Sequence, residues 1–518
     1  MGSKQDEYFV VKPGEPHPLE WKVPPVNDLR SAIEHLKTLP GQQYLETDRE
    51  VDPIAELAGV YRYVGAGGTV MRPTRIGPAM MFNTIKGFPG SRVLVGLLAS
   101  RARVAHLLGA PPRELGVQMA KARHAVTPPV CVGSNAALCQ KVVHRADEPG
   151  FDLRKLLPAP TNTPQDSGPY FCMGLVLGND PDDREIADVT IHRLCVQGPD
   201  LLSIAFAPGR HIGVFREKAE AQGKPLAVSI NMGLDPAIYI GAGFEAPATP
   251  FGFNELCVAG GLRGRPVELV ECLTVPQMAI ANSEIVIEGE ILPNVRVAED
   301  QNTHTGHAMP EFPGYNGKAN ESLPVIKVKA VTTREHPILQ TLVGPGEEHV
   351  SLAGIPTEAS IYNACQDALP GLLKNVYAHS SGGGKFLAIL QVGKQSAGDD
   401  GNARQAALVA LTAYRELKNV ILVDEDVDLF DTDDVLWAMQ TRYQGDIDTM
   451  LLQGVTGHAL DPSQSPSYNP RLSARGMTCK TVFDCTVPFH LREHFGRAQF
   501  KEVDPSLWAP ALFDKASG

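Results

Sequence analysis

No stretch of this 518-residue chain approaches the ~18 consecutive apolar residues that a membrane span needs, so no membrane association is expected. Excess positive charge is missing too: 47 Lys and Arg stand against 59 Asp and Glu, a formal net charge of −12. A chain this acidic is not expected to bind nucleic acid, whose phosphates select basic surfaces. Cysteine is sparse and odd in number, nine in all, with no CxxC pair. Neither a disulfide framework nor a cysteine zinc site is expected, and the thiols read as free in a reducing compartment, the cytoplasm. Residues 1–7 are polar and carry no apolar core of a secretory leader. Asp6 stands where a myristoylation pattern wants Ser or Thr. Internal repeats and coiled-coil heptads are absent.

What is present is globular. Hydrophobic residues make up 43% and charged residues 20%, while 49 Gly and 42 Pro predict a loop-rich fold. Length predicts about three domains. Residues 1–126 read as an N-terminal α/β region behind a Pro-rich arm (1–26). Helices are expected at 28–39, 53–63 and 100–108, and strands at 44–47, 80–82 and 92–96. Residues 127–325 read as a β-dominated domain, a barrel, entered through a Pro-, Cys- and Asn-rich crossing segment (127–165). Its strands are expected at 170–177, 188–196, 203–207, 226–231 and 284–290, with one helix at 211–222. Residues 326–518 read as a C-terminal α/β domain with a tail. Strands at 325–332 and 338–342 open it, and helices at 357–368, 402–417 and 433–442 alternate with strands at 386–392 and 419–423. Residues 462–470 form a turn-rich loop.

Several motifs fail on spacing. Ser381-Gly382-Gly383-Gly384-Lys385-Phe386 is not a nucleotide phosphate loop, because His379 and Phe386 occupy the positions that need Gly and Ser or Thr. It is either a surface turn or a turn presenting Lys385 to a pocket. Asp424 to Asp428 is not a calcium loop, because Leu429 and Val435 replace the required Gly and Glu. An acidic strand end leading into a helix N-terminus accounts for it. His304 and His307 lack the partners of a zinc site and read as solvent-facing. Asp188, His192, Arg193, His211 and Glu255 are scattered over the β-rich region. Their oxygen and imidazole donors suit a divalent ion such as manganese, while the alternative is a set of isolated structural polar residues.

Longer strings carry a resemblance. Tyr44-Leu45-Glu46-Thr47-Asp48, Asp188-Val189-Thr190-Ile191-His192-Arg193-Leu194, Ile230-Asn231-Met232-Gly233-Leu234-Asp235-Pro236-Ala237, Met309-Pro310-Glu311-Phe312-Pro313-Gly314-Tyr315 and Val343-Gly344-Pro345-Gly346-Glu347-Glu348-His349 stand in order along the chain, with further matches at 72–81 and 283–289. In these strings the chain resembles the UbiD family of reversible decarboxylases, in particular its 3,4-dihydroxybenzoate (protocatechuate) and gallate branch, from Tyr44 to the C-terminus. The resemblance implies an α+β multidomain fold: an N-terminal α/β part, a central flavin-reductase-like split β-barrel and a C-terminal α/β domain. It implies prenylated FMN, Mn²⁺ and K⁺ as cofactors, a separate flavin prenyltransferase on which the protein depends, a small aromatic acid and CO2 as partners, and a homodimer or higher homo-oligomer.

Positions matching the family's motifs follow residue by residue. Asp188, where relatives often carry Asn, His211 and Glu255 match the metal ligands. Thr190, Ile191, His192, Arg193, Arg210, His211 and Glu255 match the cofactor-binding positions. Arg193 matches the arginine that orients the carboxylate, and its guanidinium suits bidentate contact. Glu311 matches the acid segment, although the commoner Glu-Gly-Pro-(Phe/Tyr)-Gly-(Asp/Glu) reads here Glu311-Phe312-Pro313-Gly314-Tyr315-Asn316 and lacks its second acid. Glu299 is the candidate replacement. One of Glu299 and Glu311 donates the proton, and the other pairs with Arg193. His349, Lys385 and His458 match positions that face ring hydroxyls. The same chemistry on an indole, pyrrole or phenazine acid, and a metal- or flavin-binding assembly protein without catalysis, are the competing readings.

Overall fold

The structure, a computed structural model, describes residues 9–10, 24–65, 77–206, 210–245, 248–464, 467, 476–504 and 507–509. Most of the Pro-rich arm, residues 72–76 of one matched string, and most of the 462–470 loop lie outside the described residues.

The first helix, Leu29–Lys37, shows why sequence pattern becomes structure here. The Asp28 carboxylate accepts from the Ser31 N–H at 2.8 Å, and the Ser31 hydroxyl accepts from the Asp28 N–H at 3.0 Å. This reciprocal cap satisfies two of the orphan donors of the first turn. Leu29, Ala32, Ile33 and Leu36 recur at helical spacing and are all buried. The helix borders a four-stranded sheet in the order Ile338–Thr341, Arg92–Val95, Ala79–Phe82, Tyr44–Thr47. Its two outer pairs are parallel and its middle pair antiparallel.

The middle of the chain closes into a barrel. Leu201–Ile204, Ala187–Val196, Tyr170–Asn179, Leu226–Met232, Ile285–Val297 and Leu323–Thr333 pair in that order, and the last returns to the first. Every one of these pairings is antiparallel. Closure removes the edges that an open sheet would leave unpaired. Val142–Arg145, from the crossing segment, adds a seventh strand beside Leu323–Thr333.

The last third forms a five-stranded sheet, ordered Leu373–Ala378, Leu387–Val392, Asn419–Asp424, Met477–Asp484, Thr449–Thr456. Strand alternation sends Leu390, Val420 and Leu422 to one face, where they pack with Ala403, Ala407 and Ala410 of the Asp399–Ala413 helix. Ile389, Ile421 and Val423 face the other way, toward Val435 and Ala438 of the Thr432–Thr441 helix. The period of 2 thus builds a three-layer sandwich.

The expected α+β multidomain architecture is present, with local corrections. The strands expected to open the last third belong elsewhere: Leu323–Thr333 completes the barrel and Ile338–Thr341 joins the N-terminal sheet. Alternation identifies a strand but not its partner, and Ile338 pairs with Arg92 across the barrel's whole length of chain. Helix Leu115–Ala122 lies beyond Pro111-Pro112, where the helical pattern seemed to end. Besides the one-turn helix Leu153–Leu156, helices Pro236–Gly241 and Leu256–Arg263 accompany the one expected in the middle region. All six residues of Pro236–Gly241, and all but Cys257 of Leu256–Arg263, are buried, so these two show no polar face to give a helical period.

The helix expected at 357–368 runs from Glu347 to Ala368, with Pro356 inside it. Proline lacks the N–H that would bond the Leu352 carbonyl. Gly243 packs its backbone into this place: a Cβ there would lie 2.6 Å from the Leu352 oxygen and 2.9 Å from Pro356 Cγ. The helix is held at its start by Glu348, which accepts from the Gly96 and Leu98 N–H groups at 2.8 and 3.0 Å. Glu358 receives both Nη atoms of Arg101, at 2.7 and 2.8 Å. Leu352, Ile355 and Ala359 join the core shared by the first two regions, whereas Ile361 and Cys365 join the C-terminal core.

Candidate active site

A cleft of about 920 Å³ opens between the barrel, the hairpin His307–Pro310/Asn316–Lys318 and the C-terminal region. Thr190, Ile191, His192, Arg193, Arg210, Glu311, His349 and Lys385 line it. A second cavity of about 520 Å³ shares Thr190, Arg210 and Glu245 with the cleft and reaches Asp188, His211 and Glu255. The sequence candidates therefore converge, although they span 188–458.

At the inner end, donor atoms of Asp188, His211 and Glu255 lie within 4.8 Å of one another, the one such cluster among the described residues. Strand Ala187–Val196 carries Asp188, helix His211–Ala221 begins with His211, and Glu255 caps helix Leu256–Arg263. His211 Nδ1 lies 3.0 Å from Asp188 Oδ1, and the Thr190 hydroxyl donates to Asp188 Oδ2 at 2.7 Å. Glu255 Oε2 is buried without a hydrogen-bond partner. Burial, reinforced by the charge of Asp188, holds the Glu255 carboxyl well above its usual range. His304 is exposed and neither it nor His307 belongs to the cluster.

Arg193, on the same strand, is gripped by two acids. Its Nη1 bonds Glu311 Oε1, while Nη2 and Nε lie 3.4 and 3.2 Å from Glu299. The acids are not equivalent. Glu299 is buried and accepts from the Tyr170 hydroxyl at 3.0 Å, the Asn320 N–H at 3.1 Å and the Asn320 side chain at 2.9 Å. Glu311 has Arg193 as its side-chain partner and faces the cleft. His192 Nδ1–H donates to Ala205 O (3.1 Å), while its Nε2 is buried and unpartnered. Burial, then the charge of Arg210, pulls its pKa down to about 4.

The C-terminal side of the cleft is a chain of charges and rings. Arg210 Nη2 lies 2.5 Å from Glu245 Oε1, which lies 3.4 Å from Lys385 Nζ. Lys385 continues to Glu416 at 3.5 Å, and Glu416 to His458 Nε2 at 3.5 Å. The Tyr414 hydroxyl donates to Glu416 at 3.1 Å. Burial opposes the charges on Arg210 and Lys385, yet Glu245, Glu416 and Tyr414 together outweigh it and raise both pKa values. Burial would raise Glu245, but Lys385 and Arg210 bring it down to about 2. His349 and His458 are pushed to about 4, chiefly by burial. Phe312 packs edge-on against His349, Phe386 and His458, with centroids 5.6, 5.0 and 4.8 Å away.

The Gly-rich turn resolves in favour of presentation to a pocket. Gly383 and Gly384 have φ of +63° and +74°. A Cβ on Gly383 would fall 2.2 Å from Phe312, and one on Gly384 2.8 Å from the Val350 oxygen. Only glycine permits both the left-handed backbone and the approach that seats Lys385 in the cleft.

Sequence reasoning missed Glu245, Tyr414, Glu416, Tyr170 and Asn320, whose partners are brought together only by the fold. Phe312 carried a usable signal, as the residue that breaks the commoner Glu-Gly-Pro pattern beside Glu311.

Residues 41–123, 130–347 and 350–485 match the N-terminal, Rift-related and C-terminal domains described for 3-octaprenyl-4-hydroxybenzoate carboxy-lyase. The chain is 54% identical over 478 residues to gallate decarboxylase of Lactiplantibacillus plantarum, covering 92% of this chain and 97% of that protein. The apo structure of a 3,4-dihydroxybenzoic acid decarboxylase from Enterobacter cloacae superposes with a TM-score of 0.90 at 66% identity, covering 95% of this chain and all of that one. A UbiD-class enzyme from Pelotomaculum thermopropionicum in complex with FMN gives 0.80 at 31% identity over 94% of this chain and all of that one.

Proposed function

We propose a function on the premise that this chain belongs to the UbiD family of carboxy-lyases: it decarboxylates an aromatic acid, with 3,4-dihydroxybenzoate or gallate as the substrate. The observation that carries the reading is Arg193 held between Glu299 and Glu311 in the wall of a cleft that Lys385 and His349 also line.

Breaking an aryl–CO2 bond leaves an electron pair in the ring plane, where the ring's own π-system cannot receive it. Prenylated FMN, when bound, supplies the electron sink that no side chain offers. The residues present fit such a group. His192 Nε2 and Glu255 Oε2 are buried polar atoms awaiting partners. Asp188, His211 and Glu255 offer two oxygens and an imidazole, a set suited to Mn²⁺ at a phosphate. Thr190, Ile191, His192 and Arg210 would line the flavin. The K⁺ rests on family resemblance alone.

The chain's own residues then divide the work. Arg193 keeps its charge at any working pH and pairs with the substrate carboxylate. Glu299, ringed by donors, fixes the guanidinium plane. Glu311, with a free side toward the cleft, holds the proton that replaces CO2 on the ring carbon. His349 and His458, neutral at physiological pH, accept hydrogen bonds from ring hydroxyls, and charged Lys385 favours phenolate character. The same proposal includes a homo-oligomer in the cytoplasm, supplied with its flavin by a separate prenyltransferase. No helix among the described residues is long and apolar enough to cross a membrane.

The test is reconstitution with prenylated FMN and Mn²⁺, followed by CO2 detection over a panel of ring acids. Activity on catechol-type acids is expected. Activity confined to indole, pyrrole or phenazine acids without ring hydroxyls overturns the substrate assignment, and failure to retain flavin absorbance overturns the cofactor.

A further inference from the structure

Glu311 stands in a wall shared by two cavities. One is the cleft already described. The other, about 950 Å³, lies between the hairpin residues Asn316, Gly317 and Lys318 and the C-terminal residues Ala459, Asp461 and Gln464. Three features of this second cavity bear on the proton. First, Gly317 leaves Glu311 uncovered there: a Cβ at 317 would lie 3.0 Å from Glu311 Oε1 and 3.1 Å from its Cγ. Second, Gln464 is 3% exposed and donates to the His458 carbonyl at 2.7 Å, yet its Oε1 is buried with no partner. That oxygen, closed off just behind the cavity wall, marks a place for one ordered water. Third, the lining is mixed, with Asn316, Lys318, Asp461 and Gln464 beside Tyr315, Leu460 and two prolines, and the exposed Asn316 and Lys318 open it to solvent.

Each decarboxylation consumes one proton, since CO2 leaves neutral, the electron pair of the broken bond stays with the ring, and a proton joins that pair to form C–H. Glu311 must therefore be reloaded once per turnover. With flavin and aromatic acid in the cleft, water is excluded from that side. We propose that the second cavity is a water-filled passage through which Glu311 is reprotonated from solvent while the cleft stays occupied. The inference rests on Glu311 as proton donor, as read above.

Two substitutions on opposite walls plug the passage without touching the assigned site: Asn316→Phe and Ala459→Phe. In reconstituted enzyme both are expected to lower kcat about tenfold, leave KM for 3,4-dihydroxybenzoate within about twofold, and raise the solvent deuterium isotope effect on kcat. Bound-flavin absorbance serves as the check that each variant is folded and loaded. A raised KM with unchanged kcat makes the passage a substrate entrance and overturns the inference, as does an unchanged isotope effect in both loaded variants. Wild-type enzyme inert toward every hydroxybenzoate would instead defeat the underlying reading.

Discussion

Glu299 and Glu311 both touch Arg193, and replacing each by Gln separates a structural acid from a proton-donating one. Glu299 is 1% exposed and its oxygens face the Tyr170 hydroxyl, the Asn320 N–H, the Asn320 amide and Arg193. A Gln there turns one acceptor into a donor. Placed toward Tyr170, the new NH2 has a hydroxyl that can rotate to accept it, but it confronts Arg193 Nε, which cannot. Placed toward Asn320, it meets two fixed donors. Either way a buried donor loses its partner and a buried ion pair loses a charge, a destabilisation of about 2–4 kcal/mol. Glu311 has only Arg193 as side-chain partner among the described residues, and Arg193 keeps Glu299, so Glu311→Gln should cost about 1 kcal/mol or less. Turnover should behave in reverse proportion to stability: Glu311→Gln loses about 100- to 10,000-fold in kcat, the usual range for removing a general acid. Urea unfolding of the apoprotein gives the first quantity and CO2 release by the reconstituted enzyme the second. If Glu299→Gln proves as stable as wild type while Glu311→Gln unfolds, the roles drawn from their donors are reversed.

Mn²⁺ at about 100 times its Kd should stabilise the apoprotein by about 2.7 kcal/mol, and Glu255→Ala should abolish the shift in a melting experiment; equal shifts would remove Glu255 as a ligand. His192, His349 and His458 have pKa values depressed from 6.5 to about 4, so the unfolded chain binds more protons than the folded one in that interval, and these histidines make stability fall as pH drops from 6.5 toward 4. Glu348, raised by burial from 4.5 to about 7, acts oppositely and makes stability fall as pH rises across that range. Glu348→Gln should therefore steepen the rise in stability between pH 4.5 and 7, and a flatter profile would contradict the assigned directions. Gly383→Ala should displace Phe312 and strain a left-handed backbone, lowering stability by about 1–3 kcal/mol and raising KM for the aromatic acid; unchanged KM would show that Phe312 does not shape the pocket.

Much of this was legible from residue order, for identifiable reasons. Strands such as Tyr44–Thr47 and Leu226–Met232 are legible in β-rich composition between turn residues, and Leu29–Lys37 in its helical spacing. Helix Leu256–Arg263 is not, because burial on all sides erased its period. The start of the Glu347–Ala368 helix was misjudged because Pro356 looks like a first turn, and only Gly243, more than a hundred residues away, explains how the chain tolerates it. In the site, Arg193, Glu311 and the Asp188, His211, Glu255 trio were reachable through motif resemblance. The link from Arg210 through Glu245 to Lys385 was not, since Glu245 meets Lys385 140 residues away.

The Glu347–Ala368 helix also bears on how the protein can be taken apart. Two of its matched segments meet at 347 and 350, inside the first turn of that helix. A cut there would send Leu352, Ile355 and Ala359 off with the C-terminal fragment as a naked apolar ridge, and leave the barrel fragment with the vacant groove they filled. Ile361 and Cys365 of the same rod pack into the C-terminal core, so a crossover after residue 368 would strip that core in turn, and chimaeras that exchange terminal segments between relatives should lose stability at either end of the helix.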